Sequence, residues 1–207
     1  MIDQWRDKFE NYFIGKDFVD GSHDIGHFRR VWNVAEKICD PDDDKLTILA
    51  ACYFHDLVSY PKNHPDRSKS SEHAAIRAAE ILSQMDFPRD KIERVKHAIL
   101  THSFSANIKP ETNEAKVVQD ADRMEAIGAI GLARVFYVSG MMGSKLFDSN
   151  DPFAINRELD DKKFAIDHFH TKLLKLPDML QTQKGKSFAR KRTEVLLRFL
   201  EDLKEEL

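Results

Sequence analysis

Three observations predict an all-α fold for this chain of 207 residues. Apolar residues recur at helical spacing in nearly every segment, no alternating strand pattern persists between turn signals, and the strongest breaks are the proline- and aspartate-rich stretches that stop helices. The composition, 42% apolar and 32% charged with a formal net charge of -3, suits an ordinary core. That balance exerts no global pull on nucleic acid or membrane, so any anion site must be local. Cys39 and Cys52 lack metal-ligand spacing, and Cys52 lies in an apolar run, which fits two core thiols in a reduced setting. The opening MIDQWRDKFENYF lacks the basic and apolar regions of a signal peptide, and no apolar stretch is long enough to span a bilayer. A cytoplasmic protein without a membrane or nucleic-acid partner is expected.

The elements follow in order. Ser22 is positioned to cap a helix carrying Phe28, Val31, Trp32, Ala35 and Ile38, which CDPDDD ends. An apolar helix over 45–57 is buried, and the polar loop SYPKNHPDRSKSS follows it. The next helix is expected to turn Ala74, Ile76, Ala79, Ile81, Leu82 and Met85 inward. Pro88 opens another through Ile92, Val95, Ile99 and His102. From about 114 a long helix carries VVQDADRMEAIGAIGLARVF, where Gly128 and Gly131 cost helix propensity and allow close backbone packing. The stretch GSKLFDSNDPFAINRELDD is irregular. Two helices close the chain, the last with Val195, Leu196, Phe199, Leu200 and Leu203 inside. The expected organisation is one domain over 1–207, with a core of about 20–140 and a helical cap of about 160–207.

The apolar run LTILAACYF ends in His55-Asp56. A buried carboxylate without a partner costs several kcal/mol or neutralises, so Asp56 needs a cation, a hydrogen-bond cage or a metal. His27 lies on the stripe of Val31, Val34 and Ile38, and Asp122 lies beside Val118, Ala126 and Ala129 on a third helix. Two imidazoles and two carboxylates make one octahedral site with positions left for water. Such a set suits manganese, iron, cobalt, nickel or zinc, with magnesium less at ease with imidazole.

The order His, His-Asp, Asp, with the strings SHDIGHFRRV, FHDLV, YPKNHP, ILTHSFSANIKPET, VVQDADRMEAIGAIGLARVF and HFHTKLLKLP, resembles the HD-domain superfamily of metal-dependent phosphohydrolases and its bacterial YedJ-like branch. The resemblance spans most of the chain. It implies an all-α core of about five helices, His27, His55, Asp56 and Asp122 as metal ligands, and a divalent cofactor of one or two ions. His73 and His102 stand where binuclear members place further ligands. With Asp56 bridging, two metals about 3.5 to 4 Å apart can clamp attacking and leaving oxygens. Some nucleotidases of the superfamily carry a glutamate three residues after the His-Asp aspartate, whereas this chain has Ser59. His23 or Asp24, one turn before His27, are candidate replacements for that acid or base, Asp24 equally being a helix cap. Arg30, Lys62, Arg67 and Arg123 are candidate phosphate contacts, Arg30 and Arg123 equally fitting an ion pair with a ligand carboxylate, and Tyr60, Phe104 and Tyr137 fit base stacking or the core equally by sequence. The implied activity is hydrolysis of a small phosphorylated metabolite, with a nucleotide favoured, by metal-activated water. A non-catalytic, metal-containing nucleotide-sensing module and a di-iron oxygenase are the alternatives.

Overall fold

The computed structural model describes residues 1–16, 24–60 and 64–207. Its regular elements are helical, and among the described residues the one bridge outside helices joins Lys145 and Phe164. The expected all-α class is what forms. The chain divides into two compact units, Met1–Asp122 and Arg123–Leu207. No single described helix is long and apolar enough to cross a membrane.

The first unit contains α1 (Ile2–Phe13), α2 (Ile25–Ile38), α3 (Lys45–Phe54), α4 (Ser70–Gln84), α5 (Arg89–His102) and nearly all of α6 (Asn113–Arg123). Helix α1 lies ahead of the span expected for the core, yet its Phe9 is fully buried. The Phe9 ring lies 5.1 Å from Phe54 and 5.9 Å from Tyr53, centroid to centroid. Tyr53 donates its hydroxyl to Glu10 Oε1 at 2.7 Å, and Arg29 grips the same carboxylate through Nε at 3.0 Å and Nη2 at 2.6 Å. One carboxylate thus joins α1, α2 and α3.

Helix α3 is buried all round, as a helix apolar on every face must be. It stops at Phe54, three residues short of the expected end, because the Leu57 N–H turns back to the Phe54 carbonyl at 3.2 Å. On α4 the inner face is Ala74, Ala75, Ala78, Ile81 and Leu82, whereas Ile76 is 51% exposed. The stripe therefore runs i, i+4, i+7 from Ala74, and Ile76 falls on the opposite side. Asp44 caps α3 by accepting from Leu46 N at 3.2 Å and Thr47 N at 3.3 Å. The Asp44 carboxylate also receives Lys91 Nζ of α5 at 2.5 Å, and Glu114 of α6 accepts from Arg94 Nη2 at 2.9 Å and from Asp44 N at 3.3 Å. One ion cluster therefore ties together the N-terminal ends of α3, α5 and α6.

In the second unit the expected long helix from about 114 breaks. A 3-10 turn over Met124–Ala126 and an extended Ile127 separate α6 from α7 (Gly128–Met141). Gly128 has φ +76°, a conformation that side chains disfavour, and a Cβ on Gly131 would lie 2.2 Å from the Ala126 carbonyl carbon. The two glycines do permit a close backbone approach, at a bend rather than along a continuous helix. Ala126 is consequently off the helix that carries Asp122, and Ala129 is exposed. Residues 142–166 are irregular and are anchored by Arg157, whose Nη1 and Nη2 reach Asp167 at 2.5 and 2.8 Å. The short α8 (Asp167–Thr171) and α9 (Leu176–Met179) precede α10 (Gln183–Glu206). Ala189, Thr193, Leu196 and Leu200 form the buried stripe of α10, and Val195, expected inside, is 41% exposed.

Candidate metal centre

Three helices of the first unit present chemistry at their C-terminal ends. His55 is the C-cap of α3, with Asp56 next to it, His102 is the last residue of α5, and Asp122 lies one residue before the end of α6. The fourth contributor, α2, enters from its other end with His27 in its first turn. Asp24 seats that turn, its Oδ1 accepting from His27 N at 2.9 Å, so Asp24 does act as a cap.

The donor atoms converge. His27 Nε2 lies 3.1 Å from His55 Nε2 and 3.6 Å from Asp122 Oδ1, and His55 Nε2 lies 3.6 Å from both Asp56 Oδ2 and Asp122 Oδ1. Donors bonded to one ion at about 2.1 Å lie roughly 3.0 to 3.4 Å apart along the edges of an octahedron or tetrahedron. The observed separations are close to those edges. Two groups of donors lie within 4.8 Å of one another, His27 with His55 and Asp56, and His55 with His102 and Asp122, and either can hold a metal ion. His102 Nε2 faces Asp56 from the other side, 3.5 Å from Oδ1.

Backbone carbonyls at the helix ends orient two of the imidazoles. His55 Nδ1 lies 2.9 Å from the Cys52 carbonyl and His102 Nδ1 lies 2.5 Å from the Ile99 carbonyl. Each ring thus takes up a carbonyl that helix termination leaves over, and turns Nε2 into the cluster. Burial works against an imidazolium at His55, but the fields of Asp56 and Asp122 more than offset it and lift its pKa to about 9. Burial likewise raises Asp122, and the bond and charge of His55 outweigh it, so the carboxyl stays below the usual range. A cation and a proton compete for the same ring nitrogens here, so metal affinity should rise with pH. The His27 and His55 imidazoles are fully buried, while Asp56 and Asp122 keep 17% and 25% of their side-chain surface, so solvent reaches the cluster from the carboxylate side.

The remaining candidates are placed less centrally. His73 is outside both donor groups, and its Nδ1 is paired with the Tyr60 hydroxyl at 2.9 Å. Arg67 donates to Ser59 Oγ at 3.2 Å and to the Tyr60 carbonyl, which orders the segment after the dyad. Tyr60 stacks on His64 with centroids 4.6 Å apart. The Arg30 guanidinium and the Asp24 carboxylate both lie against Gly26. Arg123 donates to the Met179 carbonyl at 3.0 Å. His23 and Lys62, like Ser22, lie outside the described residues. Phe104 and Tyr137 are exposed. Sequence reasoning missed Gln119, which donates Nε2 to the Thr101 carbonyl at 2.7 Å, although its place one turn before Asp122 on a helix face that buries Val118 and Ala121 was a signal.

Residues 24–127 match the HD domain, a span that includes His27, His55, Asp56, His102 and Asp122. The Bacillus subtilis protein YpgQ is 31% identical over 193 residues, which are 89% of this chain and 84% of YpgQ. A crystal structure of YpgQ in complex with ADP superposes with a TM-score of 0.70 at 29% identity, covering 100% of this chain and 94% of the other. A crystal structure of an HD-superfamily hydrolase from Bacillus thuringiensis is similar at a TM-score of 0.75 and 27% identity, covering 100% and 98%.

Proposed function

The chain belongs to the HD-domain family, and from that premise we propose that it is a metal-dependent phosphohydrolase acting on a small phosphorylated metabolite, with a nucleotide as the favoured class. The observation that carries this reading is the convergence of His27, His55, Asp56 and Asp122 at near-coordination spacing in one solvent-accessible cluster. Those four residues would hold the divalent ion, and His102 lies beside Asp56 on the other side of the cluster. When bound, the ion supplies Lewis-acid polarisation of a phosphoryl oxygen and makes water acidic enough to attack at neutral pH.

The protein's own part is placement and charge. Asp24 fixes the backbone of His27 through the cap bond, and the Cys52 and Ile99 carbonyls fix the rings of His55 and His102. Asp56 presents Oδ2 to His27 and His55 and Oδ1 to His102, so it can serve both sides of the cluster. Arg30, one turn beyond His27, is the cation assigned to the substrate phosphate. Arg67 holds Ser59 and Tyr60, and Tyr60 and His64 offer stacked rings. The complex of YpgQ with ADP supports a nucleotide as the ligand class.

Phosphate release from a panel of nucleotides and sugar phosphates, with manganese supplied, tests the reading beside Asp56→Asn. Release by the wild type and its loss in the variant are expected. No release by wild-type protein shown to hold manganese would overturn it, and nucleotide binding without turnover would select the sensing alternative.

A further inference from the structure

We propose that Gln119 is a positioning residue that sets His102 against the metal cluster, a role that rests on the metal-binding reading above. Gln119 lies on α6, one turn before Asp122, and is 1% exposed. Its Nε2 donates at 2.7 Å to the carbonyl of Thr101, the peptide group through which the chain enters His102. The bond therefore joins the two backbone segments that carry His102 and Asp122, members of one donor group with His55. Thr101 is in the last turn of α5, where carbonyls lack helical partners, so Gln119 also closes that helix end.

The same amide leaves Oε1 buried, with no hydrogen-bond donor among the described residues. A buried acceptor left unpaired is unfavourable, so fold stability alone does not favour an amide here over an apolar side chain of equal length. Its useful end is the one on Thr101. The two bonds on α5 act in series: Gln119 fixes the peptide before His102, and the Ile99 carbonyl fixes the ring through Nδ1 at 2.5 Å. Together they hold Nε2 on the side of Asp56, 3.5 Å from Oδ1. Without the amide, the end of α5 is free to move away from α6, and His102 leaves the cluster first.

The test is a double-mutant cycle read by cobalt titration, following affinity and the visible d–d spectrum, on wild type, Gln119→Met, His102→Ala and the double variant. Methionine keeps length and apolar volume but removes the donor. Loss of an outer hydrogen bond at a metal site typically costs about 10- to 100-fold in affinity, so Gln119→Met is expected to weaken cobalt binding about tenfold and to alter the spectrum. In the His102→Ala background the same substitution should change affinity less than twofold. An equal loss in both backgrounds would mean a general packing defect and would overturn the proposal, as would no loss in either. If Gln119→Met does not fold, Gln119→Glu, which keeps the length and repels the carbonyl when ionised, takes its place in the cycle. Wild-type protein that binds no cobalt would overturn the metal reading itself, a result distinct from every variant outcome.

Discussion

Removing the Asp44 side chain should loosen the end of the helical cluster opposite the candidate metal centre, with a measurable loss of stability. Asp44 caps α3 through two backbone N–H groups, accepts from Thr47 Oγ1 at 2.9 Å and pairs with Lys91 at 2.5 Å. Loss of an aspartate cap costs about 1 kcal/mol. The pair with Lys91 is partly solvated and adds about 0.2 to 1 kcal/mol. Asp44→Ala is therefore expected to destabilise by about 2 kcal/mol, or roughly 4 to 8 °C in Tm for a chain of this length. Asp44→Asn keeps an oxygen for the cap and loses the charge, so about 0.5 to 1 kcal/mol should suffice. Burial tends to raise the Asp44 pKa, but the bonds from Lys91 and Thr47 overcome it and hold the carboxyl below its ordinary value. A carboxyl lowered in the fold stabilises at neutral pH, and that contribution disappears as pH falls through the folded value. The gap between wild type and Asp44→Asn, measured by urea denaturation, should thus shrink from pH 7 towards pH 3. Equal losses for alanine and asparagine, or a gap that widens in acid, would refute this reasoning.

Gly131→Ala should destabilise by roughly 3 kcal/mol or more, because its Cβ meets the Ala126 backbone, whereas Gly140→Ala, with nothing within 4 Å, should be neutral or slightly stabilising in thermal melts. Tyr53→Phe removes the hydroxyl bond to Glu10 and is expected to cost about 1 kcal/mol in urea denaturation, since Arg29 still grips the carboxylate. Arg157→Ala leaves the buried Asp167 carboxylate without its guanidinium, so a loss of about 3 to 5 kcal/mol is expected in the same assay, with Asp167→Asn milder than Arg157→Ala.

The sequence conveyed the helical class well, because it depends on local spacing. The stripe from Phe28 to Ile38 and the apolar run before His55 are set by periodicity, and they bury His27 in α2 and His55 at the end of α3. Asp24 was legible as a cap from residue type and position. Apolar residue type misled where strict helical spacing did not: Ile76 and Val195 lie off the stripes that α4 and α10 bury, and both face solvent. The close backbone packing expected of Gly128 and Gly131 forms, but the break at 124–127 was not legible, because a left-handed φ at Gly128 and the crowding of Gly131 against the Ala126 carbonyl depend on how the chain bends there. The place of Phe9 in the core and the ion cluster at the start of α3, α5 and α6 join distant segments, and no local pattern announces them; the position of Gln119 before Asp122 was a local signal, but its partner Thr101 was not.

Anomalous diffraction at the manganese edge, from crystals grown with manganese, addresses the site most directly. A peak at bonding distance from His27 Nε2, His55 Nε2, Asp56 and Asp122 is expected, and it should vanish in His55→Ala. A protein that crystallises folded under saturating manganese without a peak there, or with its only ordered ion elsewhere, would contradict the assignment.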